Sequence, residues 1–304
     1  MKNTTLTQDP WAEWLLQLHE EDDPETEEIK LAHSSQSRDA ILQNARIAPG
    51  DTVLDVGCGS GPIAFGALPL VGEQGEVLFC DVSPGLLELC RALASKQGML
   101  DRCQFLQASA DNLSLIATNT VDVVTTRSVL VFVKEKQQAF REAYRVLKPK
   151  GRLSIFEPIP EFIYPEPPHL FLGYDVTPVM SMAQKLWAVY EQAHLTEVFR
   201  FGVHDLLQFV KDAGFSEVHL VLQVTDTPHP APKDSALKKQ SWGAFLNRPF
   251  YPFFPTIRET IQQALTATEA EQLTNYLRPL VETGQKRDRW AGAYLQAIKH
   301  EEAE

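Results

Sequence analysis

The chain has 304 residues, 44% of them hydrophobic, with a formal net charge of −12 and an isoelectric point near 5.2. This length and composition suit one large globular domain or a domain with a sizeable insertion, and the acidic balance argues against binding to nucleic acid, which needs clustered Lys and Arg. No apolar run approaches the ~18 residues that a membrane span requires, and the first residues lack the apolar core of a signal peptide, so we expect a cytoplasmic protein.

The N-terminal segment predicts two helices. Asp9 and Pro10 form a helix start, with Asp as the N-cap and Pro at the first helical position. The next apolar side chains recur at helical spacing and give one apolar face: Trp11, Trp14, Leu15 and Leu18. We interpret the acidic stretch 20–28 as a solvated linker and place a second helix at about 37–45.

A strand, a tight turn and a helix are predicted around an alternating glycine motif. The apolar run 52–56 leads into Gly57, Gly59 and Gly61, and Pro62 then opens a helical pattern. Glycine is needed where the backbone turns sharply or lets a ligand approach closely. The helix N-terminus that follows favours polar or anionic groups through its free N–H groups and its dipole. We therefore expect a bulky polar ligand across this turn.

Two further strands follow at the spacing of an α/β fold. The run 76–81 ends in Asp81, 24 residues after Gly57. This is close to the distance at which an acid at the end of a second strand meets a ribose in nucleotide-binding folds. The run 104–108 predicts the third strand, and the polar loop 109–112 comes directly after it.

The fourth and fifth strands complete a parallel pattern. The fourth, 121–127, ends at Arg127, and a helix is predicted at 136–147. The fifth, 153–157, ends at Glu157. Strand–helix alternation at this spacing requires a parallel sheet with helices on both faces. Such a sheet places its ligands at the carboxyl ends of its strands.

The four cysteines all lie in this core, at Cys58, Cys80, Cys90 and Cys103. None of them forms a C-x-x-C pair, the spacing typical of structural zinc sites. We therefore expect no metal site, and we expect buried, reduced thiols as in a cytosolic protein.

Two motifs in this core are specific. The first is D-x-G-x-G-x-G at 55–61, and the second is R-V-L-K-P-x-G-x-L at 145–153. Together they resemble class I S-adenosylmethionine (SAM) methyltransferases, in particular the type 11 group that contains ubiquinone and menaquinone methyltransferases. The resemblance covers about 35–157 and 203–225.

The resemblance implies a fold, a cofactor and a set of contacts. The fold is Rossmann-like α/β, with a seven-stranded, mostly parallel sheet whose last strand is antiparallel, and with helical lid insertions. The cofactor is SAM, which becomes S-adenosylhomocysteine (SAH), and its expected ligands are Asp55, Gly57, Cys58, Gly59, Gly61, Asp81, Val82, Ser109, Ala110, Asp111 and Arg127. The family usually has Asp where this chain has Ser109, so the adenine contact falls to Ser109, to Asp111 or to the backbone.

The rest of the chain predicts insertions around this core. The expected segments are an N-terminal helical lid at 1–34, the SAM-binding core at 35–157, a lid insertion at 158–202, a continuation of the core at 203–225, a second helical lid insertion at 226–288, and the last strand with the tail at 289–304. Packing of the N-terminal helices against the sheet, away from any ligand, is an equal alternative. Pro and aromatic side chains alternate just after Glu157, which excludes a regular helix or a central strand there. Thr268 and Glu271 predict a capping box near the end of the second insertion.

The implied reaction is an in-line methyl transfer from SAM to a small acceptor, which the aromatic lids predict to be apolar, aromatic or isoprenoid-like. An oxygen or nitrogen acceptor also needs a base. Glu157 is the first candidate because it ends the fifth strand, and His169, Tyr174 and then His204 follow. A structural role stays open for each of them. The expected partners are the small-molecule acceptor and, if the protein is oligomeric, a second copy in a homodimer.

Three other functions stay open at this point. The chain could bind SAM without catalysis, as a regulator or a partner subunit. Arsenite methyltransferases share these motifs but use cysteines beyond the fifth strand as metalloid ligands, and this chain has none after Cys103. An NAD-dependent dehydrogenase is disfavoured because Pro62 stands where the dinucleotide-binding turn has its third glycine.

Overall fold

The computed structural model describes residues 9–20, 24–193, 200–227, 240–247, 249 and 252–300. Its central feature is a seven-stranded sheet, and a two-stranded hairpin is separate from it. The strands are β1 (Thr52–Val56), β2 (Glu76–Asp81), β3 (Cys103–Gln107), β4 (Val121–Arg127), β5 (Leu147–Pro158), β6 (Leu170–Phe171), β7 (Tyr174–Asp175), β8 (Phe215–Thr227) and β9 (Asp288–Lys299). The helices are α1 (Pro10–Glu20), α2 (Pro24–Ala45), α3 (Pro62–Val71), α4 (Pro84–Lys96), α5 (Lys136–Val146), α6 (Met180–Gln192), α7 (Val203–Asp212), α8 (Trp242–Asn247), α9 (Ile257–Ala264) and α10 (Ala267–Thr283).

The main sheet has the strand order β3-β2-β1-β4-β5-β9-β8. β1 pairs in parallel with β2 and β4, and the parallel pairing extends to β3 on one side and to β5 on the other. β9 is antiparallel to both of its neighbours, β5 and β8. The predicted Rossmann-like fold, with an antiparallel last strand, is therefore confirmed. The strand order reverses between β1 and β4, and ligands of open α/β sheets bind at the carboxyl ends of strands at such a point.

The strand ends observed in the core agree with the prediction to within a few residues, except at the start of β5. This strand begins at Leu147, which pairs with Val121, and the pairing then shifts and resumes between Arg152 and Val123. Lys150, in the irregular part, has a φ of +65°. The R-V-L-K-P-x-G-x-L segment therefore ends α5 and starts β5 with no separate loop between them.

The N-terminal segment contains more helix than the sequence predicted. The interpretation of 20–28 as a linker is wrong for the residues that the structure describes, because Glu20 ends α1 and Pro24 begins α2, which continues to Ala45. Residues 21–23 lie outside the described residues. Proline suits the first turn of a helix, where its missing N–H removes no intrahelical hydrogen bond. The predicted start of α1 is confirmed, since Asp9 Oδ1 accepts a hydrogen bond from Ala12 N at 3.1 Å.

The capping box predicted at Thr268 and Glu271 is wrong, because α10 begins two residues earlier. Thr266 is its N-cap: Glu269 Oε2 accepts from Thr266 N at 2.9 Å, and Thr266 Oγ1 accepts from Glu269 N at 3.4 Å. The Thr-x-x-Glu pattern occurs here in two overlapping frames. Local sequence does not distinguish them, since both offer the same pair of side chains.

The two insertions share an apolar core of their own. This core joins the β6–β7 hairpin to α6, α8, α9 and α10, and its buried side chains include Phe171, Tyr174, Leu186, Tyr190 and Leu277. Other apolar cores pack on the main sheet. Removing these aromatic and aliphatic groups from water is the main force that holds the hairpin and the helices together. The division of the chain into core and lid segments stays a prediction.

The cysteines are free thiols, of which Cys58, Cys80 and Cys90 are buried and Cys103 is half-buried. Within the described ranges, no helix has the length and apolar character of a membrane span. In the same ranges, no three side chains of His, Cys, Asp or Glu come together in a group that could hold a metal ion.

Candidate functional site

A cavity of about 720 Å³ lies at the carboxyl ends of the parallel strands. Small-molecule sites typically measure ~300–1,000 Å³, so this volume suits a ligand of the size of a nucleoside derivative or larger. The wall formed by the strand ends and the loop after β3 brings together ten of the predicted SAM ligands: Asp55, Gly57, Cys58, Gly59, Asp81, Val82, Ser109, Ala110, Asp111 and Arg127.

Gly61 is the predicted ligand that does not line the cavity. It is the N-cap of α3, with a φ of +85°. A Cβ at this position would lie 2.7 Å from the Phe65 ring and 3.1 Å from Cys90 Sγ. The structure therefore needs glycine here for a left-handed backbone and for close packing of α3, and not for approach of a ligand.

The glycine turn is held to the end of β2 by hydrogen bonds. Cys58 N donates to Cys80 O at 3.0 Å, and Gly59 N donates to Asp81 Oδ2 at 2.9 Å. Gly57 has a φ of +67°, and a Cβ added to it would overlap Val129 Cγ2. Only glycine therefore fits at position 57, where the turn meets the segment that follows β4.

Asp55 is a buried carboxyl group behind the glycine turn, with its side chain 1% exposed. Its Oδ1 accepts from Thr125 Oγ1 at 2.9 Å, and its Oδ2 accepts from Ala64 N, in the first turn of α3, at 3.1 Å. Burial raises the pKa of Asp55 to about 7, although these hydrogen bonds and the nearby Arg127 guanidinium oppose the shift. A cationic ligand group beside this carboxyl would favour its charged form.

Asp81 has both carboxylate oxygens fixed by backbone donors. Its Oδ1 accepts from Ser83 N at 2.9 Å, and its Oδ2 accepts from Gly59 N at the same distance. Burial is the main reason that the pKa of Asp81 is raised above its ordinary value. Each carboxylate oxygen can accept a second hydrogen bond, so this group can receive two hydroxyl donors. Val82, beside it, is 42% exposed and offers an apolar surface to the same cavity.

The loop after β3 presents a pair of polar side chains. Ser109 Oγ donates to Asp111 Oδ1, and Asn112 N donates to Ser109 O at 3.0 Å. The hydroxyl that replaces the usual acid of this loop is therefore tied to the acid two residues later. Both side chains line the cavity.

Arg127 lies at the end of β4 and lines the cavity. Burial lowers the pKa of its guanidinium, and the nearby carboxyl groups of Asp55 and Glu157 act in the opposite direction. No described residue forms a hydrogen bond with this guanidinium. Its donors are therefore available to an anionic ligand group.

Glu157, the first candidate for a base, is wholly buried and does not line the cavity. Its Oε1 accepts from Thr126 Oγ1 and from Val129 N, each at 3.0 Å. Its Oε2 has no hydrogen-bond partner among the described residues, and burial raises the pKa of this carboxyl to about 7. The side chain of Glu157, at the end of β5, points into the protein interior. From there it stabilises the segment after β4 through its hydrogen bonds.

His169, Tyr174 and His204 do not line the cavity either. His169 is exposed just before β6, and His204 is exposed in the first turn of α7. Tyr174 is 1% exposed, and its ring lies 5.8 Å from that of Phe245 in the core of the insertions. The aromatic stretch after β5 packs against the helices of the insertions, and this packing keeps Tyr174 away from the strand ends.

A second part of the cavity wall is apolar. It is contributed by α1 and by the turn after β4, through Trp11, Trp14, Leu15, Val131, Phe132 and Val133. The ring centroid of Phe132 lies 5.0 Å from that of Trp11 and 5.8 Å from that of Trp14. The sequence identified the apolar face of α1 but missed its partner Phe132. The available signal was an uninterrupted apolar run directly after a strand end.

Comparisons with known proteins agree with this geometry. A model of the ubiE/COQ5 methyltransferase family matches residues 26–224. The chain is similar to the ubiquinone/menaquinone biosynthesis C-methyltransferase UbiE of Klebsiella pneumoniae subsp. pneumoniae, with 38% identity over 108 residues, which make up 36% of this chain and 43% of that protein. The protein of the same name from Ectopseudomonas mendocina is 34% identical over 183 residues, which make up 58% of this chain and 70% of that protein. The chain thus spans less than half the length of the first of these relatives.

Solved structures share the fold. A protein from Bacillus halodurans C-125 has a TM-score of 0.53 and 18% identity, with 88% of this chain and 100% of that chain covered. The YcgJ protein from Bacillus subtilis has a TM-score of 0.53 and 17% identity, with 88% of this chain and 99% of that chain covered. At these identities the likeness concerns the fold alone.

Proposed function

This chain belongs to the ubiE/COQ5 methyltransferase family, and we propose that it transfers a methyl group from SAM to a small acceptor that is largely apolar, with aromatic or isoprenoid-like character. The family places the chain among the class I SAM-dependent methyltransferases. The observation that carries the proposal is one cavity with a polar, acidic part at the strand ends and an aromatic part beside α1. The polar part suits an adenosine with an amino-acid tail, and the aromatic part suits the acceptor.

Asp81 is the residue that we assign to the ribose of SAM. Its carboxylate is fixed by Ser83 N and Gly59 N before a ligand is bound, and it lines the cavity. Two vicinal hydroxyl groups would donate to its two oxygens in a charge-assisted arrangement. Because the carboxylate is already positioned, little ordering accompanies binding.

The adenine ring fits between an apolar and a polar surface. Val82 offers the exposed apolar side chain, and Ser109 and Asp111 offer polar atoms at the rim. Asp111 accepts one hydrogen bond from Ser109, which leaves further acceptor capacity on its carboxylate for an amino group. We assign the exocyclic amino group to Asp111 and the face of the ring to Val82, with the backbone at Ala110 beside them.

The amino-acid tail of SAM carries one ammonium and one carboxylate group. Asp55 and Arg127 are an acid and a base that approach each other behind the glycine turn and both line the cavity. Arg127 would bind the carboxylate, and the ammonium would lie near Asp55. Gly59 lines the cavity and lets the ligand approach the backbone because no Cβ stands in the way.

Bound SAM supplies a methyl group on a positively charged sulfur atom, which is already activated for transfer. The protein therefore has to align the acceptor and exclude water. Trp11, Trp14 and Phe132 cover the apolar part of the cavity and would do both. None of these three side chains can take up a proton, so an acceptor bound against them would arrive in its ionised, nucleophilic form.

Glu157 enters the proposal as a positioning residue rather than as a base that touches the acceptor. It is wholly buried, and it holds Val129 N, in the segment that carries Phe132 into the apolar wall. His169, Tyr174 and His204 have no part in the proposed site.

The named relatives support the acceptor class. Their names describe C-methyltransferases of ubiquinone and menaquinone biosynthesis, and a quinone-type ring with a prenyl chain is both aromatic and isoprenoid-like. The aromatic wall of this chain suits such a ring, because stacked and edge-to-face ring contacts favour flat apolar ligands.

The test combines binding and turnover. Calorimetry with SAH measures cofactor affinity, and transfer of an isotope-labelled methyl group from SAM is measured on dihydroxybenzenes and naphthols with and without a prenyl chain. We expect SAH binding together with transfer to at least one ring-containing acceptor. Binding of SAH with no transfer to any acceptor would favour a non-catalytic SAM-binding protein. Thermal stabilisation by NAD but not by SAH, or transfer to arsenite alone, would contradict the proposal.

A further inference from the structure

Asp9 makes contacts that its role as a helix cap does not require. It is the N-cap of α1, with Oδ1 accepting from Ala12 N at 3.1 Å. Its other oxygen, Oδ2, accepts from Ser83 Oγ at 2.7 Å and from Gly85 N at 2.9 Å. Ser83 is the N-cap of α4 and Gly85 lies in the first turn of that helix. One carboxylate, only 7% exposed, therefore joins the N-termini of two helices.

This junction connects directly to the proposed ribose site. Ser83 donates through its hydroxyl to Asp9 Oδ2 and through its backbone N–H to Asp81 Oδ1, at 2.9 Å. Asp9, Ser83 and Asp81 thus form one hydrogen-bonded chain from α1 to the acid at the end of β2. Networks of this kind couple the positions of their members more strongly than isolated pairs do.

α1 lies over the glycine turn at the same time. Trp11, Trp14 and Leu15 line the cavity, and Leu15 Cδ2 would be 3.3 Å from a Cβ built on Gly59. Trp14 Nε1 donates to Pro249 O at 3.4 Å, which is a long hydrogen bond. The contacts of Asp9 with Ser83 and Gly85, at 2.7 and 2.9 Å, are shorter than this one.

We propose that Asp9 is a positioning residue that fastens α1 over the cavity, so that the cofactor leaves only when the contacts of Asp9 with Ser83 and Gly85 open. The proposal rests on the proposed function, since it takes SAM and SAH as the ligands. The apolar contacts of α1 are non-directional and do not fix the position of the helix along its axis, whereas the two hydrogen bonds from Ser83 and Gly85 to one carboxylate fix its start. The negative charge also lies at the N-termini of both helices, where their dipoles favour it.

The experiment compares Asp9→Ala with the full-length wild-type chain. Two quantities are measured: the dissociation rate of SAH by stopped flow, and amide hydrogen exchange of 10–20 without ligand. We expect SAH dissociation to accelerate at least about tenfold, the factor that corresponds to loss of one good hydrogen bond. Exchange in α1 should become faster, while exchange in β1 and β4 stays unchanged. KM for SAM should rise more than kcat falls, since the reacting groups are untouched.

Glu13→Ala is the matched control. Glu13 is an exposed acid on the same helix, so its replacement removes the same charge and leaves the junction intact. This variant should match the wild type in both measurements. Ser83→Ala is a second variant that tests the junction. It removes the hydrogen bond from the Ser83 hydroxyl to Asp9 and keeps the one from Gly85 N. The acceleration of SAH dissociation in Ser83→Ala should lie between those in Glu13→Ala and Asp9→Ala.

Two outcomes separate the failure of this proposal from that of the function. If wild-type protein binds SAH, and Asp9→Ala changes neither its dissociation nor the exchange of α1, Asp9 does not fasten the helix. If wild-type protein fails to bind SAH at all, the proposed function and the cofactor role of α1 are both wrong. A uniform increase of exchange throughout Asp9→Ala would show a purely structural role and would also overturn the proposal.

Discussion

Gly59 N donates a hydrogen bond of 2.9 Å to Asp81 Oδ2, and this contact joins the glycine motif after β1 to the acid at the end of β2. The two residues are 22 positions apart in sequence. The parallel pairing of β1 with β2 brings the strand ends to one edge of the sheet. The glycine turn therefore orients the carboxylate that we assign to the ribose, and the carboxylate in turn holds the backbone of the turn.

Asp81→Ala should reduce the affinity for SAH about 100-fold, measured by calorimetry. Two charge-assisted hydrogen bonds would be lost, each contributing ~1.5–3 kcal/mol, with part of that offset by water. Asp101→Ala is the control, because Asp101 is an exposed acid in the turn before β3. An affinity of Asp81→Ala within about threefold of wild type would contradict the assignment of the ribose.

Gly57→Ala should destabilise the protein more than Gly98→Ala does. The two glycines have nearly the same backbone, with φ of +67° and +68°, but a Cβ at Gly57 overlaps Val129 whereas one at Gly98 meets nothing within 4 Å. Both variants should lose ~1–2 kcal/mol of unfolding free energy to left-handed strain, and Gly57→Ala should lose a further ~1–3 kcal/mol to overpacking.

Urea denaturation measures this difference. The double variant Gly57→Ala/Val129→Ala should recover part of the additional loss, since it removes the overlapping methyl groups. Equal losses in the two single variants would show that the turn and the segment after β4 are not in close contact.

Phe132→Ala should lower kcat/KM for the acceptor at least about tenfold and leave the Kd for SAH within about twofold of wild type. The ring forms the apolar wall together with Trp11 and Trp14, and it is separate from the acidic strand ends. Leu115→Ala is the control, because that side chain is 66% exposed and is not in the cavity wall. An equal loss of SAH affinity in Phe132→Ala would place the ring in the cofactor site instead.

Glu157 should make the stability of the protein depend on pH. Burial raises the pKa of this carboxyl to about 7, from an ordinary value near 4.5. Between these values the folded state binds more protons than the unfolded state, so the contribution of Glu157 is present below pH 4.5 and is lost as the pH rises to 7. The size of this effect is up to roughly 3 kcal/mol, which corresponds to the pKa difference.

Urea denaturation of wild type and Glu157→Gln at pH 5 and pH 8 checks this prediction. Because glutamine keeps an acceptor for Val129 N and cannot ionise, the variant should gain stability relative to wild type as the pH rises. The pKa of Asp55 is raised in the same way, so some pH dependence will remain in both proteins. Glu73→Gln, at an exposed turn, should follow the wild type. Parallel stability curves for wild type and Glu157→Gln would contradict a buried carboxyl that is neutral below pH 7.

The sequence by itself determined the succession of strands and helices along the chain, and it predicted the polar half of the site. Alternation of strands and helices predicts a parallel sheet, and a parallel sheet gathers the residues that follow its strands at one edge. The positions of Asp55, Gly57, Asp81 and Arg127 at the strand ends therefore predicted that they lie together, and the resemblance to the family supplied their expected ligand. The patterns that predict a strand, a turn or a helix depend on residues that are close together in sequence. They can therefore be interpreted without knowledge of the rest of the fold.

Only the tertiary structure decided what covers the site and which candidates face it. Phe132 meets Trp11 at 5.0 Å across more than a hundred residues of sequence, and no local pattern pairs them. Glu157 and Tyr174 carry the right chemistry, but Glu157 turns inward and Tyr174 is buried among the helices of the insertions. Apolar attraction is non-directional. An amphipathic pattern therefore shows that a face will be buried, whereas the partner of that face depends on the shape of the whole assembled core.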